Sequence, residues 1–285
     1  MKIAVLADIH GNLAALHAVI DDLDGWSPDI VVVAGDMVNR GPQSRECLDL
    51  TLRLAAERGW RVIRGNHERY MLQYAQDRLR PDFPRSGPRH AVSLIVAWAY
   101  GQVVDRLHLI AALPERLNID LDGELLAVYH ASARHDRDGI TRHSADAELR
   151  EQIDPTATIF CVGHTHAPLI RRLDRTLVVN VGAVGLPFDG DTRAAYARLT
   201  RGRRGTWEAK IVRVPYDVAT TTRVFRESGM QAGVGPQGQI MLRELETGDS
   251  LMYDFIPAYY ERILAGELSV EDAVRAFLAA VDGGR

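Results

Sequence analysis

The sequence predicts an α/β fold with parallel strands. Three apolar runs, residues 3–7, 30–34 and 60–64, alternate with two stretches at helical spacing. A β-α-β-α-β order joins parallel strands through right-handed crossovers. A polar residue able to do chemistry stands just after each run, at Asp8, Asp36 and Asn66. In such sheets ligands gather beyond the carboxyl ends of the strands, so three distant positions are expected on one edge.

Each element has its own signal. Residues 3–7 are continuously apolar, as in a buried strand, and Leu13, Leu16, Ile20 and Leu23 then recur at helical spacing. Residues 30–34 form a second strand, 44–57 a helix and 60–64 a third strand, after which Asn66 opens another helical stretch. Residues 81–118 read as a helical insertion: Pro81, Pro84 and Pro88 mark a loop, and 92–104 follow with helical spacing. Residues 125–129 return to strand and deliver His130. Further strands are expected at 158–162 and 177–181, and a hairpin at 194–199 and 207–214 around 200–205. From about residue 217 the chain changes character. Residues 229–238 are Gly-rich and read as a loop. Two helices are expected near 250–265 and 269–281, the second with Ser269 as N-cap, Asp272 three residues on and Gly283-Gly284 beyond its end. The expected organisation is a catalytic domain over residues 1–216, carrying the insertion, with a helical extension over 217–285 packed on it.

Composition narrows the function. The 285 residues carry a net charge of −4 and a pI near 6.2. That excludes a broad basic surface, so no stable nucleic-acid complex is expected. Lys2 and Lys210 are the only lysines, so nearly all positive charge is Arg. Cys47 and Cys161 make no disulfide framework and point to a reducing compartment. Asp8 stands where the apolar region of a leader should continue, and the longest apolar stretch, residues 91–104, is too short to span a bilayer. A cytoplasmic protein without membrane contact is expected.

Five short motifs carry the chemistry: Asp8-Ile9-His10, Gly35-Asp36, Gly65-Asn66-His67-Glu68, His130 and Gly163-His164-Thr165-His166. Taken singly, each has a plain structural role. Asp36 can cap a loop, Asn66 can cap a helix, and His164 with His166 can be a surface pair on an extended segment. His135 and His143 compete with His130 from a polar loop, whereas His17, His90 and His108 lie in helical patterns. Taken together, the motifs offer two carboxylates, an amide and four imidazoles, a mixture suited to borderline divalent metals. Seven ligands are too many for one ion. They fit two that share a carboxylate, and a pair roughly 3.5–4 Å apart is a recurring device for phosphate-ester hydrolysis.

In their full order these motifs resemble the calcineurin-like metallophosphoesterase superfamily, in its small bacterial phosphoesterase type. The resemblance runs to about Tyr216 and includes Asn180-Val181-Gly182-Ala183-Val184-Gly185, similar to a turn of that family. It implies a four-layer α/β/β/α sandwich, here with a helical insertion and C-terminal helices. It implies that Asp8, His10, Asp36 and His166 hold one metal, and that Asp36, Asn66, His130 and His164 hold the other, with Asp36 bridging. His67 matches the catalytic His, which is not a ligand. The segment around Gly35-Asp36-Met37-Val38-Asn39-Arg40-Gly41 also resembles phosphoprotein phosphatases and diadenosine tetraphosphate hydrolases, where Arg40 matches a phosphate-binding Arg. Asn39 departs from the Asp of those enzymes, which pairs with the catalytic His. His130 lacks the neighbouring Gly often seen in the family.

The function so implied is hydrolysis of phosphate mono- or diesters of a small molecule or nucleotide, by attack of a hydroxide bridging two divalent ions. Mn stands foremost among those ions, and Fe, Ni, Co and Zn are compatible with the same donors. The alternatives are a dinucleoside polyphosphate hydrolase or a protein phosphatase, and a non-catalytic scaffold on the same fold. Retention of every ligand and of His67 weighs against the scaffold. A homo-oligomer is compatible with the sequence, and no residue after 216 is expected to bind metal.

Overall fold

A computed structural model describes residues 1–202 and 205–283. Its first strand shows how the layers arise. In β1 (Lys2–Leu6), Ala4 and Leu6 join an apolar cluster with helix side chains, while Ile3 and Val5 face a second sheet. This is the period of two on a strand buried on both faces. α1 (Leu13–Trp26) follows; Asn12 caps it by accepting from the Ala15 N–H at 3.2 Å, and Ser27 ends it at φ 54°. β2 (Ile30–Val33), α2 (Ser44–Arg58) and β3 (Arg61–Val62) complete the expected parallel unit. α3 (Asn66–Asp77), α4 (Gly87–Val103) and α5 (Leu107–Ala112) lead into the second sheet.

That sheet contains β4 (Arg116–Asp120), β5 (Leu125–Tyr129), β6 (Ile159–Val162), β7 (Leu169–Leu173) and β8 (Thr176–Asn180), with α6 (Asp146–Gln152) between β5 and β6. Its order is β4-β5-β6-β8-β7, with β5, β6 and β8 parallel and both edges antiparallel. β9 (Ala194–Arg201) and β10 (Trp207–Val214) return to the first sheet, whose order is β10-β9-β1-β2-β3. Leu126 and Val128 face the first sheet, whereas Ala127 and Tyr129 pack with Leu149 and Ile153 on the outer side. The result is the expected four-layer sandwich. Each sheet contributes three parallel strands, and their carboxyl ends meet at one edge.

The chain continues through α7 (Val218–Glu227), α8 (Met230–Gly233), α9 (Gly238–Thr247), α10 (Leu251–Leu264) and α11 (Val270–Gly283). Their apolar faces form one cluster with Ile95 of α4 and with Leu186 and Phe188 of the loop after β8. The inserted helix and the C-terminal helices therefore share a core.

Several expectations are corrected. Residues 116–118 belong to strand β4, so the helices of the insertion end at Ala112. The Gly-rich stretch 229–238 is not a loop. It holds α8, a 3₁₀ turn at Gly235–Gln237 and the start of α9, because its glycines let short helices pack closely on Trp98 and on one another. Helix α6 was too short for a pattern to reveal it, and strand β7, at a sheet edge, is interrupted by the charged Arg171 and Arg172. Ser269 does accept from the Asp272 N–H, at 3.0 Å, but α11 runs through Gly283. Residues 203–204, in the expected hairpin turn, and Gly284 lie outside the described residues.

Candidate metal centre

The strand ends deliver the motifs through strained turns. Asp8, His10, Asp36, Asn39, Arg40, His164 and His166 all have φ between 49° and 69°. A side chain costs energy there, about 1–3 kcal/mol each, and such residues gather at functional sites. The extended segment expected for His164 and His166 is thus a left-handed turn, although both rings still reach the same cluster while Thr165 turns away. Asn180 holds that turn, donating to the Gly163 carbonyl at 2.9 Å and to Thr165 Oγ1 at 2.8 Å. Gly65 is required where it stands, since a Cβ would collide with the Asp36 carboxylate and the His130 ring.

All seven expected ligands converge and are buried. His10 Nε2 lies 3.1 Å from His166 Nε2, and Asp8 Oδ1 lies 3.8 and 3.4 Å from those atoms. Next to them, Asp36 Oδ2 lies 3.8 Å from His10 Nε2 and 3.1 Å from His130 Nε2. Asn66 Oδ1 is 2.8 Å from His130 Nε2 and 3.0 Å from His164 Nδ1. His135 and His143, the competitors, make contacts in their own exposed loop instead.

The protons tell which atoms face inward. The Nδ1 atoms of His10, His130 and His166 lie 3.3, 2.8 and 2.6 Å from the carbonyls of Val38, Ala34 and Leu186. A carbonyl only accepts, so each Nδ1 carries a hydrogen and each neutral ring turns an Nε2 lone pair into the cluster. There those lone pairs meet Asp8 Oδ1 and Asp36 Oδ2, both buried without a hydrogen-bond partner. Lone pairs facing lone pairs need a cation or a proton between them. The donors present therefore fit divalent ions, and the mixed N/O set suits the borderline metals.

Without a cation, electrostatics substitutes a proton. Burial disfavours charge on His130, but the Asp36 carboxylate overcomes it and raises the ring to about 10. Burial, with His67 and His166 alongside, holds His10 well below its usual range, and burial lowers His164 to about 4. Asp36 is itself drawn down, because His130 and His67 outweigh its burial.

His67 is built differently. Its Nδ1 lies 2.8 Å from Asn39 Nδ2. Asn39 Oδ1 is already accepting from the Arg40 N–H at 2.8 Å, which turns the amide nitrogen toward the ring. The side-chain Nδ2–H of Asn39 then donates to Nδ1, and the neutral ring carries its hydrogen on Nε2, 3.9 Å from Asp36 Oδ2. In that form Nε2 is a hydrogen-bond donor, although the ring stands close enough to His10 and Asp36 to share a cation with them.

Four contributors were not read from the sequence as parts of the site. Glu68, fully buried, accepts from the backbone N–H groups of Asp36, Met37, Val38 and Gly65 at 2.7–3.2 Å and so fixes the Asp36 turn. Burial, together with the Asp36 charge, raises Glu68 to about 7 against those donors. Phe188 stacks on His166 at 4.3 Å. Asn12 donates to the Gly185 carbonyl at 2.8 Å, and Glu244 of α9 approaches Arg40. Glu68 stood inside a quoted motif and Phe188 next to one. Glu244 left no signal, since it lies in a stretch where the sequence predicts no helix and no site residue.

Comparison with known proteins agrees with this geometry. The sequence model of the calcineurin-like phosphoesterase superfamily domain matches residues 1–202. An uncharacterized protein of Methanocaldococcus jannaschii is 26% identical over 232 residues, covering 76% of this chain and 88% of that one. The symmetrical bis(5'-nucleosyl)-tetraphosphatase of Paracidovorax citrulli is 30% identical over 178 residues, covering 59% of this chain and 58% of that one. The crystal structure of a metallophosphoesterase from Sphaerobacter thermophilus is 29% identical with a TM-score of 0.66, covering 87% of this chain and all of that one. That coverage exceeds what residues 1–202 can supply, so the likeness reaches the C-terminal helices. A hypothetical protein from Pyrococcus horikoshii, 19% identical with a TM-score of 0.69 over 87% of this chain and 98% of that one, shares the fold. No helix among the described residues is long and apolar enough to cross a membrane. With this motif order on this sandwich, and with the domain match over most of its length, the chain belongs to the calcineurin-like phosphoesterase superfamily.

Proposed function

We propose that the chain is a binuclear metal-dependent hydrolase of phosphate mono- or diesters of a small molecule or nucleotide. The observation that carries this reading is the pair of buried, unpartnered carboxylate oxygens, Asp8 Oδ1 and Asp36 Oδ2, set among inward-facing imidazole lone pairs. Asp8, His10, Asp36 and His166 would hold one ion, and Asp36, Asn66, His130 and His164 the other. Asp36 would belong to both sets: its Oδ2 has no hydrogen-bond partner, whereas Oδ1 accepts from the His67 N–H at 2.8 Å. Divalent ions held there would supply Lewis acidity toward phosphoryl oxygens and a nucleophile at neutral pH.

The chain's own groups do the rest. His67 Nε2–H donates to the leaving oxygen or to a phosphoryl oxygen as charge develops. Arg40 presents its guanidinium to a non-bridging oxygen. Burial of the ligands keeps bulk water from the donors and strengthens each charge interaction.

Metal analysis of protein purified without chelator, combined with hydrolysis of bis-p-nitrophenyl phosphate, tests the reading. Two transition ions per chain are expected, and Asp36→Asn should lose affinity for both. His67→Ala should keep the metal and cost about 10²–10³-fold in turnover, the range for removing one donor to developing charge. A chain that stays metal-free in excess Mn would sink the proposal. A dinucleoside polyphosphate is the second reading, favoured by the Paracidovorax citrulli relative named as a symmetrical tetraphosphatase. A kcat/KM for diadenosine tetraphosphate well above that for p-nitrophenyl phosphate would select it.

A further inference from the structure

Arg40 belongs to the turn after β2, and its charge adds to the burial that depresses His10 and His67. Its side chain is only 10% exposed. Among the described residues its one ion-pair partner is Glu244, with Nη1 at 3.6 Å from Oε2. Glu244 comes from α9, beyond the family match, and is 1% exposed. Its Oε1 accepts from the Met252 N–H at the start of α10, at 2.7 Å, while Oε2 has no hydrogen-bond partner. One carboxylate oxygen is thus anchored in the C-terminal helices and the other faces the guanidinium.

A buried guanidinium without an anion is strongly disfavoured, so Glu244 meets a need of Arg40 that the sandwich leaves unmet. The separation of 3.6 Å is longer than a charge-assisted hydrogen bond of about 2.7–2.9 Å. The pair is therefore loose enough for the remaining N–H groups of the fork to serve a second anion. We propose that Glu244 is a positioning residue: it holds the guanidinium of Arg40 from behind, so that its free edge faces the substrate phosphate. The C-terminal helices then complete the phosphate site rather than merely cover it. This inference rests on the phosphate-binding reading of Arg40.

A double-mutant cycle tests it on the full-length protein. Gln at position 244 keeps an acceptor for the Met252 N–H and removes only the charge. Arg40→Ala should lower kcat/KM for phosphate esters by about 10–100-fold, the range of a hydrogen bond to a charged group. Glu244→Gln should raise KM by about 3–10-fold, within the range of pairwise coupling. The double variant should match Arg40→Ala. Binding of inorganic phosphate, read by calorimetry, should weaken with Glu244→Gln in the native background and not in the Arg40→Ala background. A role confined to capping α10 would be felt equally in both backgrounds, and effects that multiply would overturn the proposal. Native kinetics and phosphate binding for Glu244→Gln beside an impaired Arg40→Ala would also overturn it. Native kinetics for Arg40→Ala would instead remove the Arg40 reading itself. If Glu244→Gln does not fold, the cycle is run with Glu244→Met and Arg40→Met, which fill the same space without charge, and the same coupling decides.

Discussion

The sandwich and the C-terminal helices bury their apolar residues in different ways. In the sandwich, two sheets close on a shared cluster that includes Ile3, Val5, Leu126 and Val128, and backbone ladders satisfy the strands as they do so. The helices after Tyr216 have no backbone ladder between them and bury their apolar residues mainly against one another, in a cluster that includes Phe225, Ile240, Met252, Phe255 and Phe277. They are 4 to 14 residues long, too short to stand singly in water, and their cluster also takes in Ile95 of α4 and Leu186 of a site loop. The sandwich assembles the ligand cluster at its own strand ends, and the helical cap brings a core of its own that joins the sandwich at those two residues. Further contacts tie the two together. Phe188 stacks on His166 and meets Tyr253 of α10 at 5.8 Å, and Thr221 of α7 donates to Asn12 at 2.9 Å.

The largest expected effect lies in the sandwich. Glu68→Ala would leave several buried N–H groups around Asp36 without an acceptor. Each such group costs about 1–3 kcal/mol, so a loss of roughly 5 kcal/mol is expected, together with metal affinity. Chemical denaturation and metal analysis read both. Unchanged stability would mean that the strained turn holds itself without Glu68.

A smaller effect should separate the two regions. Gly233 lies against the face of Trp98, where α8 crosses α4, and a Cβ there would overlap the indole. Gly233→Ala should cost about 1–3 kcal/mol through overpacking. Metal content should stay at the native level, because no ligand atom touches that contact. Metal loss in this variant, with a native circular dichroism spectrum, would show that the cap and the centre behave as one unit.

Legibility in the sequence follows the same division. The ligand positions could be read because each follows an apolar run, and a strand end is where the fold gathers chemistry. The layers came from the family resemblance rather than from periodicity, since residues 3–7 are continuously apolar and the sequence does not show that Ala4 and Leu6 face helices while Ile3 and Val5 face the second sheet. What could not be read depends on partners distant in sequence. Residues 229–238 read as a loop because glycine weakens helix propensity, yet packing on Trp98 outweighs that preference. Glu244 could not be singled out because its partner, Arg40, lies about two hundred residues away in sequence. The left-handed turns at His164 and His166 were invisible for a similar reason: their hold comes from Asn180 and Asp8.

The smallest expected effect concerns Asn39, where this chain departs from its resemblance to the tetraphosphate hydrolases. Burial lowers His67 to about 3, Asp36 pulls it up, and Arg40 and His166 add to the depression. At neutral pH the ring is therefore neutral, with Nε2–H as a hydrogen-bond donor rather than a proton donor. The sign for stability follows from the ordinary value of 6.5. Between that value and about 3 the unfolded chain binds the proton and the folded chain does not, so this contribution is fully present above 6.5 and is lost as pH falls through that window. Asn39→Asp would place an anion beside Nδ1, give that atom the hydrogen and raise the pKa of the ring. Turnover should then rise severalfold for esters of poor leaving groups, which need a proton, and stay unchanged for p-nitrophenyl esters, which do not. The ring nitrogens of His67, followed by NMR across pH, give the direct check. A native His67 that titrates near 6.5 in the metal-free protein would show that burial does not keep the ring neutral below that pH, and the leaving-group dependence would lose its explanation.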